Sequence, residues 1–309
     1  MGLNSEINSG MVIRRQHFKF LPVEWILILY LVATTLLILI FWSNLQNPEI
    51  HILLRIIVIA AILLFAGSKN TLQSRKTFYY LRWFFPVLLL GYLYKETDYL
   101  NNLLFRTDLD PLFAFIDEAI FGMQPSLEFA SRFPSGFFAE LMYFGYCSYY
   151  LLIVTVPVYL FGAKQKEAAE EVISITIGSF MIFYLLFILL PVAGPQYYFA
   201  AKTEPVHQRF LFGPLLGIIL EVGEGRTAAF PSSHISIYLI LLYSCIQYAR
   251  KLLAFVVPAG VLLFLSTLYL QAHYVIDIIF GIIYTPLVYL LAEKYYMAFK
   301  TKNKINYGN

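Results

Sequence analysis

The chain has 309 residues, 60% of them hydrophobic, 18% aromatic and only 13% charged, about half the charge of an average soluble domain. That balance excludes a soluble globular protein and makes the bilayer the solvent of a polytopic, all-α membrane bundle. A net charge of +3 accompanies it, and no nucleic-acid partner is expected.

Apolar runs of about twenty residues, the length that crosses a hydrocarbon core, predict eight spans near 22–42, 50–67, 78–94, 137–162, 171–191, 231–249, 252–271 and 273–297. Arg14, Arg15 and Lys19 precede the first run as in a signal peptide. The run over 21–42 is too long for that, and no small-residue cleavage site follows, so it reads as a retained span. The second run is short and carries Arg55. Cys147 and Cys245 both fall inside predicted spans, where they pack as buried thiols and imply neither a disulfide nor a metal.

With eight spans, fourteen basic residues (Arg14, Arg15, Lys19, Lys69, Arg75, Lys76, Lys164, Lys166, Arg250, Lys251, Lys294, Lys300, Lys302 and Lys304) fall on one side of the membrane. Six (Lys95, Arg106, Arg132, Lys202, Arg209 and Arg226) fall on the other. The positive-inside rule then makes both termini cytoplasmic. Loops 95–136 and 192–230 face outward, as do the starts of the two spans that carry His234 and His273.

Loop 95–136 holds seven acidic residues: Glu96, Asp98, Asp108, Asp110, Asp117, Glu118 and Glu128. Short apolar runs among them predict interfacial helices capping the outer face. The acids read as solvating that segment, not as a metal cluster. Residues 208–222 form a further interfacial or re-entrant helix, too interrupted by Gly213-Pro214 and Gly217 to span.

The chemistry concentrates in Phe230-Pro231-Ser232-Ser233-His234 and His273-Tyr274-Val275-Ile276-Asp277. An ionisable group at the mouth of a span costs free energy unless it is solvated, paired or at work. Pro231 suits the first position of a helix, whose free N–H groups and positive dipole end bind anions. Ser232 and Ser233 add hydroxyl donors for a phosphate, and His234 on the first turn can protonate a departing oxygen. His273 and Asp277 at i, i+4 share a helical face, so the carboxylate can hold one ring nitrogen and leave the other as nucleophile or base. His17, His51 and His207 lack such surroundings and read as surface residues. Zinc is possible at His234, His273 and Asp277 by ligand type, but nothing in the spacing requires a metal or another cofactor.

These residues resemble a family. Pro231-Ser232-Ser233-His234 with His273-x-x-x-Asp277 is similar to the second and third motifs of the type 2 phosphatidic acid phosphatase superfamily. His273-Tyr274 followed by Asp277 and Gly281 resembles most its inositol phosphorylceramide synthase branch. The resemblance covers roughly residues 80–297. It implies a six-helix catalytic core over 78–297, after an N-terminal segment with two added spans (1–77) and before a cytoplasmic tail (298–309). It also implies His273 as a nucleophile that becomes phosphohistidine, Asp277 as its orienting partner, His234 as the acid, and Ser232 and Ser233 as phosphate-binding. The expected basic residues of the first motif are absent from Leu190-Pro191-Val192-Ala193-Gly194-Pro195-Gln196, and the third motif opens Ser266-Thr267 where Ser-Arg is usual. Arg226 is the nearest replacement for phosphate binding.

The expectation is an integral-membrane enzyme acting on a phospholipid or lipid phosphate through phosphohistidine, as phosphatase or phosphotransferase. The alternative is a lipid-binding or transport protein that keeps the fold. A transporter carries ionisable groups near the middle of several spans, whereas only Arg55 lies well inside one.

Overall fold

The computed structural model describes residues 20–68, 75–199, 210–223 and 225–307. Arg14, Arg15, Lys19, Lys69, Lys202, Arg209, His17 and His207 lie outside them. Twelve α-helices and no strand occur among the described residues: α1 (Pro22–Ile40), α2 (Pro48–Ala66), α3 (Lys76–Leu100), α4 (Asp110–Phe121), α5 (Pro125–Arg132), α6 (Gly136–Gly162), α7 (Lys166–Leu189), α8 (Pro195–Tyr198), α9 (Phe212–Gly223), α10 (Ser233–Tyr248), α11 (Leu253–Tyr269) and α12 (Val275–Tyr307).

Among the described residues six helices are long and apolar enough to cross a membrane: α1, α2, α6, α7, α11 with the turn before it, and α12. The other two expected spans are helical but fall short of that standard for different reasons. α3 is long yet rich in tyrosine and carries Arg82, Lys95, Glu96 and Asp98, and α10 has only 16 residues. The short helices expected in the two long loops form as α4, α5 and α9.

α7 is the hub of the bundle, packed by α1, α3, α6, α10 and α12. Its Ser174, Gly178 and Ser179 are the small residues that let helices approach where lipid supplies no hydrophobic drive. α1 buries Val23, Leu27, Tyr30 and Leu31 in the same core.

The buried charges of α3, Arg82 and Glu96, are neutralised by the first two helices. Glu24 of α1 takes Arg82 through Nε and Nη2 at 2.5 and 2.6 Å. Glu96 takes Arg55 of α2 at 2.8 Å and His51 Nδ1 at 3.1 Å. Buried charges persist in apolar surroundings only when paired in this way. His51 is therefore no surface residue: it is half-buried against Glu96 and stacks on Tyr99 with ring centroids 3.6 Å apart. Glu96 pulls it inward, a partner 45 residues away that the local sequence does not reveal.

Candidate active site

Two turns, one before α10 and one before α12, make the site. The first runs through a cis Phe230–Pro231 peptide into Ser232, the N-cap of α10, whose Oγ accepts the Ile235 N–H at 3.5 Å. Pro231 therefore stands outside the helix and not at its first position, because the Ser232 hydroxyl supplies the capping acceptor. His234 falls on the first turn, buried, as expected.

The second turn departs from the sequence reading in a similar way. α12 begins at Val275, so His273 precedes the helix and does not stack on a helical face with Asp277. The Thr267 carbonyl at the end of α11 accepts the N–H groups of Ala272 and His273 at 3.0 and 3.2 Å, which holds His273 in a turn. Asp277 sits in the first turn of α12, and its Oδ2 accepts the Tyr274 N–H at 2.8 Å, the acidic half of a capping box. The same oxygen lies 3.5 Å from His273 Nδ1, so the pair meets by a different route from the one its spacing suggests.

The two turns converge. His273 Nε2 lies 3.1 Å from His234 Nδ1 and 3.1 Å from Ser232 Oγ. The Ser232 N–H donates to the Asp277 carbonyl at 3.0 Å, and Ser236 Oγ donates to the Gly281 carbonyl at 2.6 Å. Gly281 is required here, since a Cβ on it would stand 2.7 Å from the Ser232 carbonyl oxygen. Ser232, His234, His273 and Asp277 are thus brought together with each residue at most 5% exposed. Ser233 is buried beside them. Arg226 is exposed at the rim, its guanidinium 5.6 Å from the centroid of Tyr197.

Two spaces meet at His234. A small pocket between His234, His273, Tyr94, Tyr146, Gln196 and Tyr197 has about 10 Å³, room for about one water. A larger cleft of about 410 Å³, lined by α3, α6, α7, α9 and α10, is walled by Leu90, Ile153, Phe180 and Ile219 and ends at Ser233 and His234. Exposed Val154 and Ile218 lie on its rim. The rings of Tyr149 and Tyr146 stand 4.5 and 4.8 Å from that of His234.

The sequence reading of the acidic loop is overturned for three residues: Glu96, buried against Arg55, and two acids of α4. Asp110 and Asp117 are buried, not solvating. Asp110 accepts the N–H groups of Ala193 and Gly194, both at 2.8 Å, and the Tyr274 hydroxyl at 3.0 Å. Asp117 accepts those of Val275 and Ile276 at 2.8 and 3.1 Å. The missed signal was periodicity: Asp110, Phe113, Ala114 and Asp117 follow i, i+3, i+4, i+7, the buried face of α4. Burial raises both carboxyl groups above the ordinary carboxylate range, against the opposing effect of these donors. It also raises the Tyr274 phenol, helped by the Asp110 carboxylate. Among the described residues no three His, Cys, Asp or Glu side chains converge to hold a metal ion.

This arrangement of paired histidines, serine and carboxylate coincides with a family match. A model of the PAP2 superfamily covers residues 114–291, more than half of the chain. The chain belongs to the PAP2 superfamily. Searches of curated proteins and of solved structures returned no match. Membership supports a phosphatase- or phosphotransferase-type function on a lipid phosphate at a membrane. All four converging residues lie inside the matched range.

Proposed function

We propose that this PAP2 protein is a lipid phosphotransferase of the inositol phosphorylceramide synthase type, working through phosphohistidine on His273. The observation that carries the reading is that His234 borders both the His273 pocket and the 410 Å³ apolar cleft. A lipid whose tail occupies the cleft brings its phosphoester to His234. The phosphoryl group then replaces the direct 3.1 Å contact between the two rings.

His273 Nε2 attacks phosphorus, the bond from phosphorus to the lipid alcohol oxygen breaks, and that oxygen leaves with its electron pair and the His234 proton. Asp277 favours the tautomer with the proton on Nδ1 and steadies the charge formed on the ring. An acceptor hydroxyl then gives its proton to His234, bonds to phosphorus, and the P–N bond breaks to restore His273.

Charge favours a phosphodiester over a phosphomonoester as the substrate, the kind of donor that headgroup transfer uses. Among the described residues no lysine or arginine lines the small pocket, and Asp277, Asp110 and Asp117 lie buried nearby. A phosphodiester with one negative charge costs less to desolvate in such a site than a phosphomonoester with two. Arg226 and the start of α10, with Ser232 and Ser233, hold the phosphate.

Incubation of the purified protein with phosphate-labelled phospholipid and inositol, diacylglycerol or ceramide tests this reading. Label should move to one acceptor. Phosphate release that no acceptor suppresses would make the protein a phosphatase, and no turnover of any phospholipid would favour a lipid-binding or transport role.

The charge distribution supports cytoplasmic termini and an outward-facing site. Single cysteines at Thr107 and Gln165, in a background without Cys147 and Cys245, should label with an impermeant thiol reagent on intact cells at Thr107 only. Labelling at Gln165 only would reverse the orientation.

A further inference from the structure

The turn that carries His273 is held at every backbone N–H from Ala272 to Ile276. Thr267 takes the first two, Asp277 takes that of Tyr274, and the Asp117 carboxylate takes those of Val275 and Ile276. Asp110 binds the Tyr274 hydroxyl on one side and the Ala193 and Gly194 amides on the other, so it ties this turn to the segment before α8. Gly194 fits there because its φ of 95° and its closeness to the Ala272 carbonyl, 2.7 Å from where a Cβ would stand, exclude a side chain. A buried carboxylate costs free energy unless its donors are matched. Those of Asp110 and Asp117 come from the residues that set where the His273 ring sits.

We infer that Asp117, with Asp110 beside it, is a positioning residue for His273, and that α4 is a clamp holding the nucleophile's turn in register. The inference rests on the proposed role of His273. Asp117 also fills the N-terminus of α12, an end that otherwise attracts an anion, so the substrate phosphate is left to α10. Misplacement of a reacting group by about 1 Å can cost about 100-fold in rate.

Asp117→Asn keeps the volume but turns an NH₂ toward one of the two backbone donors. In detergent-purified full-length protein, kcat should fall about 10- to 100-fold with KM within about twofold. A second readout needs no turnover: the rate at which diethyl pyrocarbonate acylates His273 relative to His51, located by mass spectrometry. His51, against Glu96 and Tyr99, reports general loosening. His273 should react several-fold faster in the variant and His51 at its original rate. Unchanged kcat with unchanged His273 acylation would overturn the inference, and so would a parallel rise at both histidines. If Asp117→Asn does not fold, Tyr274→Phe, which removes one hydrogen bond to Asp110, goes through the same readouts, and no change in either counts against the clamp. A wild-type protein that turns over no phospholipid would sink the proposed function, while the acylation comparison would still decide the positioning role.

Discussion

The N-termini of α10 and α12 lie against each other, joined by the hydrogen bond from the Ser232 N–H to the Asp277 carbonyl, yet they are finished in opposite ways. α12 is closed by carboxylates from the protein itself, Asp277 from its own first turn and Asp117 from α4. α10 is capped by a neutral serine whose hydroxyl also reaches His273. Each helix start offers an anion site. One is spent on holding the proposed nucleophile, and the other, beside His234, is the proposed seat of a substrate phosphate. Adjacent helix ends can thus serve structure and chemistry separately, the choice resting on which carboxylates the fold brings to them.

The sharpest way to break this division is at the imidazole between the two ends. His273→Ala should lower turnover by about 10⁴-fold or more, since a missing nucleophile removes the covalent route. Asp277→Asn should cost about 10²- to 10⁴-fold by releasing the ring from its tautomer. Both are read as initial rates of label transfer from phospholipid. A His273 variant with undiminished rate would end the phosphohistidine mechanism and leave α12 a structural element only.

A subtler change alters the spacing between the ends. Gly281→Ala would place a methyl 2.7 Å from the Ser232 carbonyl oxygen, a backbone atom that cannot swing away. Overpacking of this kind costs about 1–3 kcal/mol, and parting α10 from α12 lengthens the Ser232–His273 and His234–His273 contacts. We expect a fall in kcat of about tenfold or more together with a lower thermal midpoint. Wild-type kcat in this variant would show that the two helix starts need not touch for catalysis.

These features were unequally legible in the chain. The bundle could be read because each span must be an apolar run of a set length, and α3 and α10 stand apart where polar residues or a short helix serve the interior. His234, His273 and Asp277 could be read because their types and order are constrained by chemistry. Their local geometry could not: Pro231 and His273 both fall just outside helices that a spacing argument extends over them, since capping by Ser232 and by Asp277 decides where the helices begin. Least visible were Asp110 and Asp117. Their donors lie 83 and 158 residues along the chain, so composition alone made them look like solvated loop acids. The Arg55–Glu96 pair, 41 residues apart, was hidden for the same reason.

The smallest expected effect concerns what lies outside both helix ends. Arg226 is exposed and stands over Tyr197, which lines the small pocket with His273, so in the proposed mechanism its charge reaches the phosphate from the rim and not from within. Solvent screens such a charge, and exposed pairs contribute at most about 1 kcal/mol. Arg226→Ala should therefore raise KM about two- to fivefold and leave kcat nearly unchanged, with the difference shrinking as salt is added. Arg106→Ala, in the exposed loop before α4, serves as the control and should alter neither constant. Equal effects of the two substitutions would make Arg226 an ordinary loop residue and leave the start of α10 to bind the phosphate alone. A large loss of kcat in Arg226→Ala would instead bring the guanidinium into contact with the reacting phosphoryl group, and the anion site would then be shared between the α10 terminus and the rim.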